Sequence, residues 1–133
     1  MTETKENGRL CIYESAFDSR ETVARIEQEL NRRNIPIFAK FDHERNAEGV
    51  GLLLRPTQVL VFGSPEAGTR LMQKNQSVSI ELPLRISVWE DEKGKVWLAF
   101  PRMSYIAGAY GLSIDPVIEK MQALLEDLAK SAA

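Results

Sequence analysis

The chain has 133 residues, a length that suits one domain and allows a core without disulfides or a structural metal. Its net charge is −2 with both signs interspersed, which argues against the basic stripe of a nucleic-acid-binding protein. No apolar run approaches the roughly 20 residues of a membrane span. From the charge pattern and the short apolar runs together, neither nucleic acid nor a membrane is expected as a partner. One cysteine and a polar N-terminus predict a cytoplasmic protein.

The first third of the chain shows a strand, a helix and a second strand. Residues Arg9–Ala16 alternate with period two, which predicts a strand. Asp18 is a typical N-cap with an acidic partner three residues later, and the helix that it begins should stop near Asn34, before a proline. The second strand covers Ile37–Asp42. The stretch His43–Gly51 is compatible with a short helical turn or with a loop.

The middle of the chain predicts a central strand and a second helix. Gln58–Gly63 is apolar on both faces, as expected for a strand in the middle of a sheet. Ser64 and Pro65 are typical of an N-cap and a first helical residue, and the helix should run to about Lys74.

The last third predicts a hairpin followed by two helices. Leu84–Glu90 alternates, turns around Gly94 and returns as Val96–Phe100. A short helix over Ser104–Tyr110 precedes a longer one that Asp115 caps. The apolar stripe of this longer helix predicts that five side chains are buried: Val117, Met121, Leu124, Leu125 and Leu128.

The order of these elements predicts an α+β fold. Strands and helices do not alternate regularly after the first unit, so a doubly wound parallel sheet is not expected. We expect a mainly antiparallel, five-stranded sheet with helices packed on one face. Residues 1–8 are expected to form a flexible N-terminus and residues 9–133 a single domain.

Several short motifs lie in the same order as in a known family. They are Phe41-Asp42-His43, Arg55-Pro56-Thr57, Val59-Leu60-Val61-Phe62-Gly63-Ser64-Pro65, Gly68-Thr69, Leu82-Pro83-Leu84-Arg85 and Val88-Trp89-Glu90-Asp91. Through these motifs the chain resembles the proteins of the domain of unknown function 302 (DUF302), also called TT1751-like. It departs from the family pattern at Ser64, where Asn is usual, and at Glu81, where Asp is usual.

The resemblance implies a fold similar to that of the TATA-box-binding protein, with a curved antiparallel sheet and helices packed across it. It implies a homodimer. It does not imply an established activity, and it does not imply DNA binding, because a fold is not a function.

The first candidate site is the pair Asp42 and His43. A histidine can act as a general base near neutral pH, so the pair predicts an acid–base site in an enzyme. The alternative is structural, with His43 bonded to a carbonyl at the end of the strand. A single histidine without a nearby cysteine does not make an ordinary zinc site, so no metal is expected.

The second candidate site follows the central strand. A strand that leads into a helix start suits an anion, but Thr69 and Arg70 stand where a phosphate loop needs Lys and Ser or Thr. The alternative is a tight turn in which Gly68 allows close packing. A third candidate combines Glu81 with Arg85, which can meet a ligand carboxylate or simply pair with Glu81 or Glu90. The predicted ligand-binding residues are Phe62, Gly63, Ser64, Gly68, Thr69, Glu81 and Arg85.

Aromatic side chains suggest a further surface. Tyr13, Trp89 and Trp97 are predicted to lie on the sheet face opposite the core, where they can line a pocket or a dimer interface. The alternative is that the helices cover these side chains, with the inner and outer faces of the sheet exchanged. We therefore expect a non-enzymatic module that binds a small-molecule ligand or a partner, acts as a homodimer and needs no cofactor. The alternatives are an enzyme that uses Asp42 and His43 and, less favoured, a protein that handles metal or redox equivalents.

Overall fold

A computed structural model describes residues 3–113 and 115–133. Its strands form one antiparallel sheet in the order β1-β2-β6-β5-β4-β3. The strands are β1 (Glu3–Asn7), β2 (Leu10–Glu14), β3 (Ile37–Asp42), β4 (Thr57–Phe62), β5 (Leu84–Glu90) and β6 (Val96–Pro101). The helices are α1 (Ser19–Arg32), α2 (His43–Glu48), α3 (Pro65–Lys74), α4 (Met103–Ala109) and α5 (Pro116–Lys130), with a 3-10 helix over Gln76–Glu81.

The predicted fold class is confirmed, with one addition to the sheet. The five predicted strands are β2 to β6, and Glu3–Asn7, which lie within the segment 1–8 expected to be a flexible terminus, form an additional edge strand, β1. This strand pairs with β2 through its backbone, with Lys5 opposite Ile12. Hydrophobic periodicity could not find it because its sequence, Glu-Thr-Lys-Glu-Asn, contains no apolar residue.

Four of the helices pack on one face of the sheet. Alternate residues of the strands, such as Phe62 and Ile86, are fully buried against the apolar stripes of α1, α3, α4 and α5. In α1 this stripe is Val23, Ile26 and Leu30, at the spacing that sequence analysis predicts. Each fully buried side chain of this kind contributes about 1.5–3 kcal/mol, so the sheet and its helices stabilise each other.

The predicted helix starts are confirmed by their hydrogen bonds. Asp18 Oδ1 accepts a hydrogen bond from the backbone N–H of Glu21 at 2.8 Å, and Asp115 Oδ1 accepts one from Val117 N at 3.0 Å. Ser64 Oγ accepts one from Ala67 N at 3.3 Å. These caps satisfy backbone donors that a helix leaves unpaired, and they fix where α1, α3 and α5 begin.

An ion pair joins α1 to α5. Arg33 Nη2 donates to Asp127 Oδ2 at 2.8 Å, and its Nε donates to Glu29 Oε1 at 3.1 Å. Hydrogen bonds from Arg32 and Arg33 lower the pKa of Glu29 to about 2, so this carboxylate is charged at neutral pH. This ion pair links the end of α1 to α5, and α5 supplies part of the site described below.

The sheet face opposite the helices, called the outer face below, also carries apolar residues. Trp89 pairs with Trp97 across β5 and β6 on this face, as predicted. The prediction for Tyr13 is wrong, because Tyr13 pairs with Leu98 and stacks in the core on Phe100 with 5.9 Å between ring centroids. Both faces of β2 are apolar, so its alternation alone does not tell which face turns inward.

Candidate functional site

A cavity of about 660 Å³ lies beside the start of α3. It is bounded by α3, by the approach to β5, by α5 and by Phe38 of β3. Most of its lining is apolar, and its principal apolar side chains are Phe38, Met72, Leu82, Pro83, Met121 and Leu124. This volume and this kind of lining are typical of sites for small molecules.

The turn from β4 into α3 forms one wall of the cavity. The backbone leaves β4 at Phe62, and Gly63 adopts a φ of +155°, which residues with a side chain rarely adopt. Gly63 N donates to Pro36 O at 3.3 Å, which holds the turn against the residues before β3. Ser64 then caps α3, and residues of the first turns of this helix line the cavity.

An ion pair connects the two helices that border the cavity. Lys74, at the end of α3, bonds to Asp115, the residue that caps α5. This hydrogen bond is the largest cause that lowers the pKa of Asp115, so the cap is charged at neutral pH. The same contact therefore links the end of α3 to the residue that caps α5.

The structure brings together part of the predicted ligand-binding set. Gly63, Ser64, Gly68 and Thr69 all line the cavity. Phe62 does not, because its side chain is completely buried in the core on the other side of the turn.

The two remaining members of that set lie outside the cavity lining. Glu81 Oε2 accepts a hydrogen bond from Tyr110 Oη at 2.7 Å, and Arg85 Nη2 lies 3.6 Å from Glu81 Oε1. The hydrogen bond to Glu81 raises the pKa of Tyr110. Glu81 and Arg85 thus meet each other, as one of the two interpretations predicted.

Sequence analysis missed the wall that α5 provides. It predicted that Val117 and Leu124 are buried with the rest of the stripe, but both are half-buried and line the cavity. The buried side of α5 is formed instead by Ile118, Met121, Leu125 and Leu128. A signal was present, since the apolar stripe is wider than one line of core contacts requires.

Charged groups lie at the rim of the cavity on both helices. Arg70 Nη2 donates to Glu66 Oε1 at 2.8 Å within α3, and this hydrogen bond is the main cause that lowers the pKa of Glu66. Lys120 of α5 also lines the cavity and adds a favourable charge interaction with Glu66. The rim therefore carries two cations and one carboxylate.

Asp42 and His43 lie elsewhere, at the end of β3. Asp42 Oδ1 accepts a hydrogen bond from Arg45 N at 3.0 Å and so caps α2. His43 is exposed, and its ring stacks on that of Phe41 with 6.4 Å between centroids. Neither residue lines the cavity. The carbonyl bond predicted for His43 as the structural alternative is absent from the hydrogen bonds of the described residues.

A prediction about Asp42 follows from its place at the helix start. Asp42→Ala should lower the free energy of unfolding by about 1 kcal/mol, because it removes the cap of α2. Asp42→Asn keeps the acceptor oxygen and should change stability by much less. Chemical denaturation of both variants measures this difference, and equal losses would contradict a capping role.

The described residues contain neither a metal-binding cluster nor a membrane-spanning helix. Across residues 3–113 and 115–133, no group of three or more His, Cys, Asp or Glu side chains is arranged to hold a metal ion. Within those same ranges, no helix has the length and apolar character needed to span a bilayer.

Curated proteins from two Brucella species match this chain over part of their own length. The chain is 35% identical over 126 residues to a protein named fluoride-specific ion channel FluC 1 of Brucella suis biovar 1. A protein of that name from Brucella abortus biovar 1 shows the same identity. The match takes in 93% of this chain but 50% and 47% of the two relatives, so the chain spans about half the length of the curated relatives it matches.

A solved structure and a family model point to one family. An uncharacterized conserved DUF302 protein from Bacillus stearothermophilus superimposes with a TM-score of 0.79, over 93% of this chain and 98% of its own. Its sequence identity is 18%, so this likeness shows the fold alone. The family model described as domain of unknown function DUF302 matches residues 12–128, and the chain therefore belongs to the DUF302 family.

Proposed function

We propose that the protein is a non-enzymatic module that binds a small, largely apolar molecule in the cavity between α3 and α5. The observation that carries this proposal is the cavity itself, about 660 Å³ in volume and lined mainly by apolar side chains. Natural sites for small ligands have this size, an apolar lining and a few polar groups at the rim. We also propose that it acts in the cytoplasm, because free thiols such as that of the buried Cys11 stay reduced there.

An acid–base enzyme that uses Asp42 and His43 has less support. Asp42 is engaged as a helix cap, and His43 points its exposed ring at Phe41 rather than into the cavity. General acid–base chemistry needs a group within hydrogen-bond reach of a bound substrate. The name of the Brucella relatives does not change this choice, because the match covers about half of each of those proteins.

Titration with a simple apolar compound tests the proposal. Decan-1-ol should bind with a stoichiometry of one per chain and should raise the melting temperature by several degrees at saturation. A ligand present at a hundred times its dissociation constant stabilises the folded state by about 2.7 kcal/mol. If neither decanol nor a panel of apolar compounds of similar size raises the melting temperature, the cavity is not a binding site.

We further propose that the outer face of the sheet joins two copies of the chain. The half-buried side chains of Ile12, Val59 and Val61 share this face with the Trp89–Trp97 pair, and Phe41 remains 47% exposed. Exposed apolar surface of this kind marks interaction sites.

Charge favours a second copy as the occupant of the outer face. Glu14 lies opposite Trp97 at one side of this face, and Arg85 lies opposite Val61 toward the other side. In a two-fold contact the same surface meets itself, so Glu14 of one copy can approach Arg85 of the other. Within one chain these two side chains have only long contacts, 3.9 Å from Lys95 to Glu14 and 3.6 Å from Arg85 to Glu81.

Light scattering on the purified protein tests the dimer. The unchanged chain should have the mass of a dimer, and both Val59→Glu and Trp89→Glu should have the mass of a monomer because they place a charge in the contact. Tyr105→Glu serves as a control, since Tyr105 is an exposed aromatic residue of α4, on the helix side. A monomer for the unchanged chain across the accessible concentrations would refute the dimer.

A further inference from the structure

The charges at the rim of the cavity point to the chemical class of its ligand. We propose that the cavity takes a molecule with an apolar body and one anionic group, such as a medium-length saturated carboxylate. This inference rests on the proposed binding function and adds to it the sign of the ligand's charge.

The inner part of the cavity suits a flexible hydrocarbon body. Met72 of α3 and Met121 of α5 both line it, together with Leu82 and Leu124. Methionine is unbranched and polarizable, so it adapts to chains of varying shape.

Lys120 lies on the cavity side of α5. Val117 and Leu124, three residues before it and four residues after it, both line the cavity. Residues at these spacings share one face of a helix, so the stem of Lys120 follows the apolar wall. Lysine keeps its ammonium group in water while its stem covers apolar surface. The charge therefore stands at the mouth of the cavity, above the apolar interior.

The carboxylate at the rim is already neutralised. Glu66 accepts the hydrogen bond from Arg70 at 2.8 Å, and this bond lowers the pKa of Glu66. Lys120 has no hydrogen bond or ion pair within 4 Å in residues 3–113 and 115–133, and it feels Glu66 only as a charge at longer range. A cationic ligand would have to compete with Arg70 for Glu66. An anionic ligand can reach Lys120 without breaking any contact.

Three probes of equal chain length separate the effect of charge from that of the apolar body. Calorimetric titrations with decanoate, decan-1-ol and decylammonium should give the order decanoate, decanol, decylammonium from tightest to weakest. We expect decanoate to bind roughly threefold to fivefold more tightly than decanol, the upper part of the range for a solvent-exposed ion pair. Raising the ionic strength from about 0.01 M to about 1 M should remove most of this preference, since the screening length falls from about 30 Å to about 3 Å.

A charge-neutral variant and a matched control assign the preference to one side chain. Lys120→Gln should bring decanoate to within about twofold of decanol and leave decanol binding unchanged. Lys93→Gln removes a lysine from the turn between β5 and β6, outside the cavity lining, and should keep the full preference. A phosphate or sulfonate of the same chain length should share the preference, because the charge and not the carboxylate carries it.

The outcomes distinguish this inference from the function beneath it. If decanol binds and decylammonium binds more tightly than decanoate, or Lys120→Gln leaves the preference intact, the anionic class is refuted and the binding module stands. If none of the three probes binds, the binding function and the ligand class fall together.

Discussion

Phe62→Ala should cost the protein about 3–5 kcal/mol of unfolding free energy, the largest loss that we expect from a single substitution. The Phe62 side chain is completely inaccessible to solvent, and it lies in the core beneath the turn into α3. Truncation leaves a cavity that well-packed neighbours fill only in part. Urea denaturation followed by circular dichroism measures the loss.

The neighbouring residue of the same strand provides the control. Val61 is half-buried and points to the outer face, because Phe62 points to the core. Val61→Ala removes two carbon atoms at about 0.8 kcal/mol for each fully buried group, so it should cost about 1 kcal/mol. Equal losses for the two variants would mean that the faces of β4 are assigned wrongly, and with them the helix side of the sheet.

Gly68→Phe should weaken the binding of decanol at least about tenfold, a loss of about 1.4 kcal/mol. A Cβ atom at Gly68 would lie 3.8 Å from Leu82 Cδ1 and 3.9 Å from Met72 Cε, and both of those side chains line the cavity. A larger side chain at this position must extend into the space that we assign to the ligand. Titration with decanol under the conditions used for the unchanged chain measures the effect.

Gly68→Ala is the matched control for this substitution. The same two distances are ordinary van der Waals contacts, so a methyl group fits without any shift. Alanine is favoured over glycine in a helix by about 1 kcal/mol, and Gly68→Ala should therefore raise stability and retain binding. If Gly68→Phe folds and binds decanol as well as the unchanged chain does, the ligand does not occupy this cavity.

Much of the fold follows from local patterns in the sequence. The helix stripe of Val23, Ile26 and Leu30 and the caps Asp18 and Asp115 are short-range signals, and the structure contains each of them. Tyr13 is a residue whose orientation such local signals do not determine. Its strand is apolar on both sides, and only the pairing of Tyr13 with Leu98 decides that it faces the helices. That pairing joins residues far apart in the chain.

The candidate site depends still more on long-range placement. Ser64 and Thr69 could be predicted as neighbours because a strand-to-helix turn joins them, and both line the cavity. The opposite wall of the cavity could not be predicted in this way, because Lys120 and Leu124 approach the turn only through the packing of α5 on α3. Arg85 was predicted as a ligand-binding residue through its family motif, but β5 places it on the outer face, and its nearest carboxylate is that of Glu81, at 3.6 Å.

Methyl NMR spectra of the protein labelled at methionine test the central claim most directly, because methionines stand both in the cavity and in the core. Met72 and Met121 line the cavity, whereas Met103 is completely buried in the core at the start of α4. Saturation with decanol should shift the methyl signals of Met72 and Met121 and leave that of Met103 in place. Shifts of Met103 alone, or no shift of any of the three, would contradict a ligand site between α3 and α5.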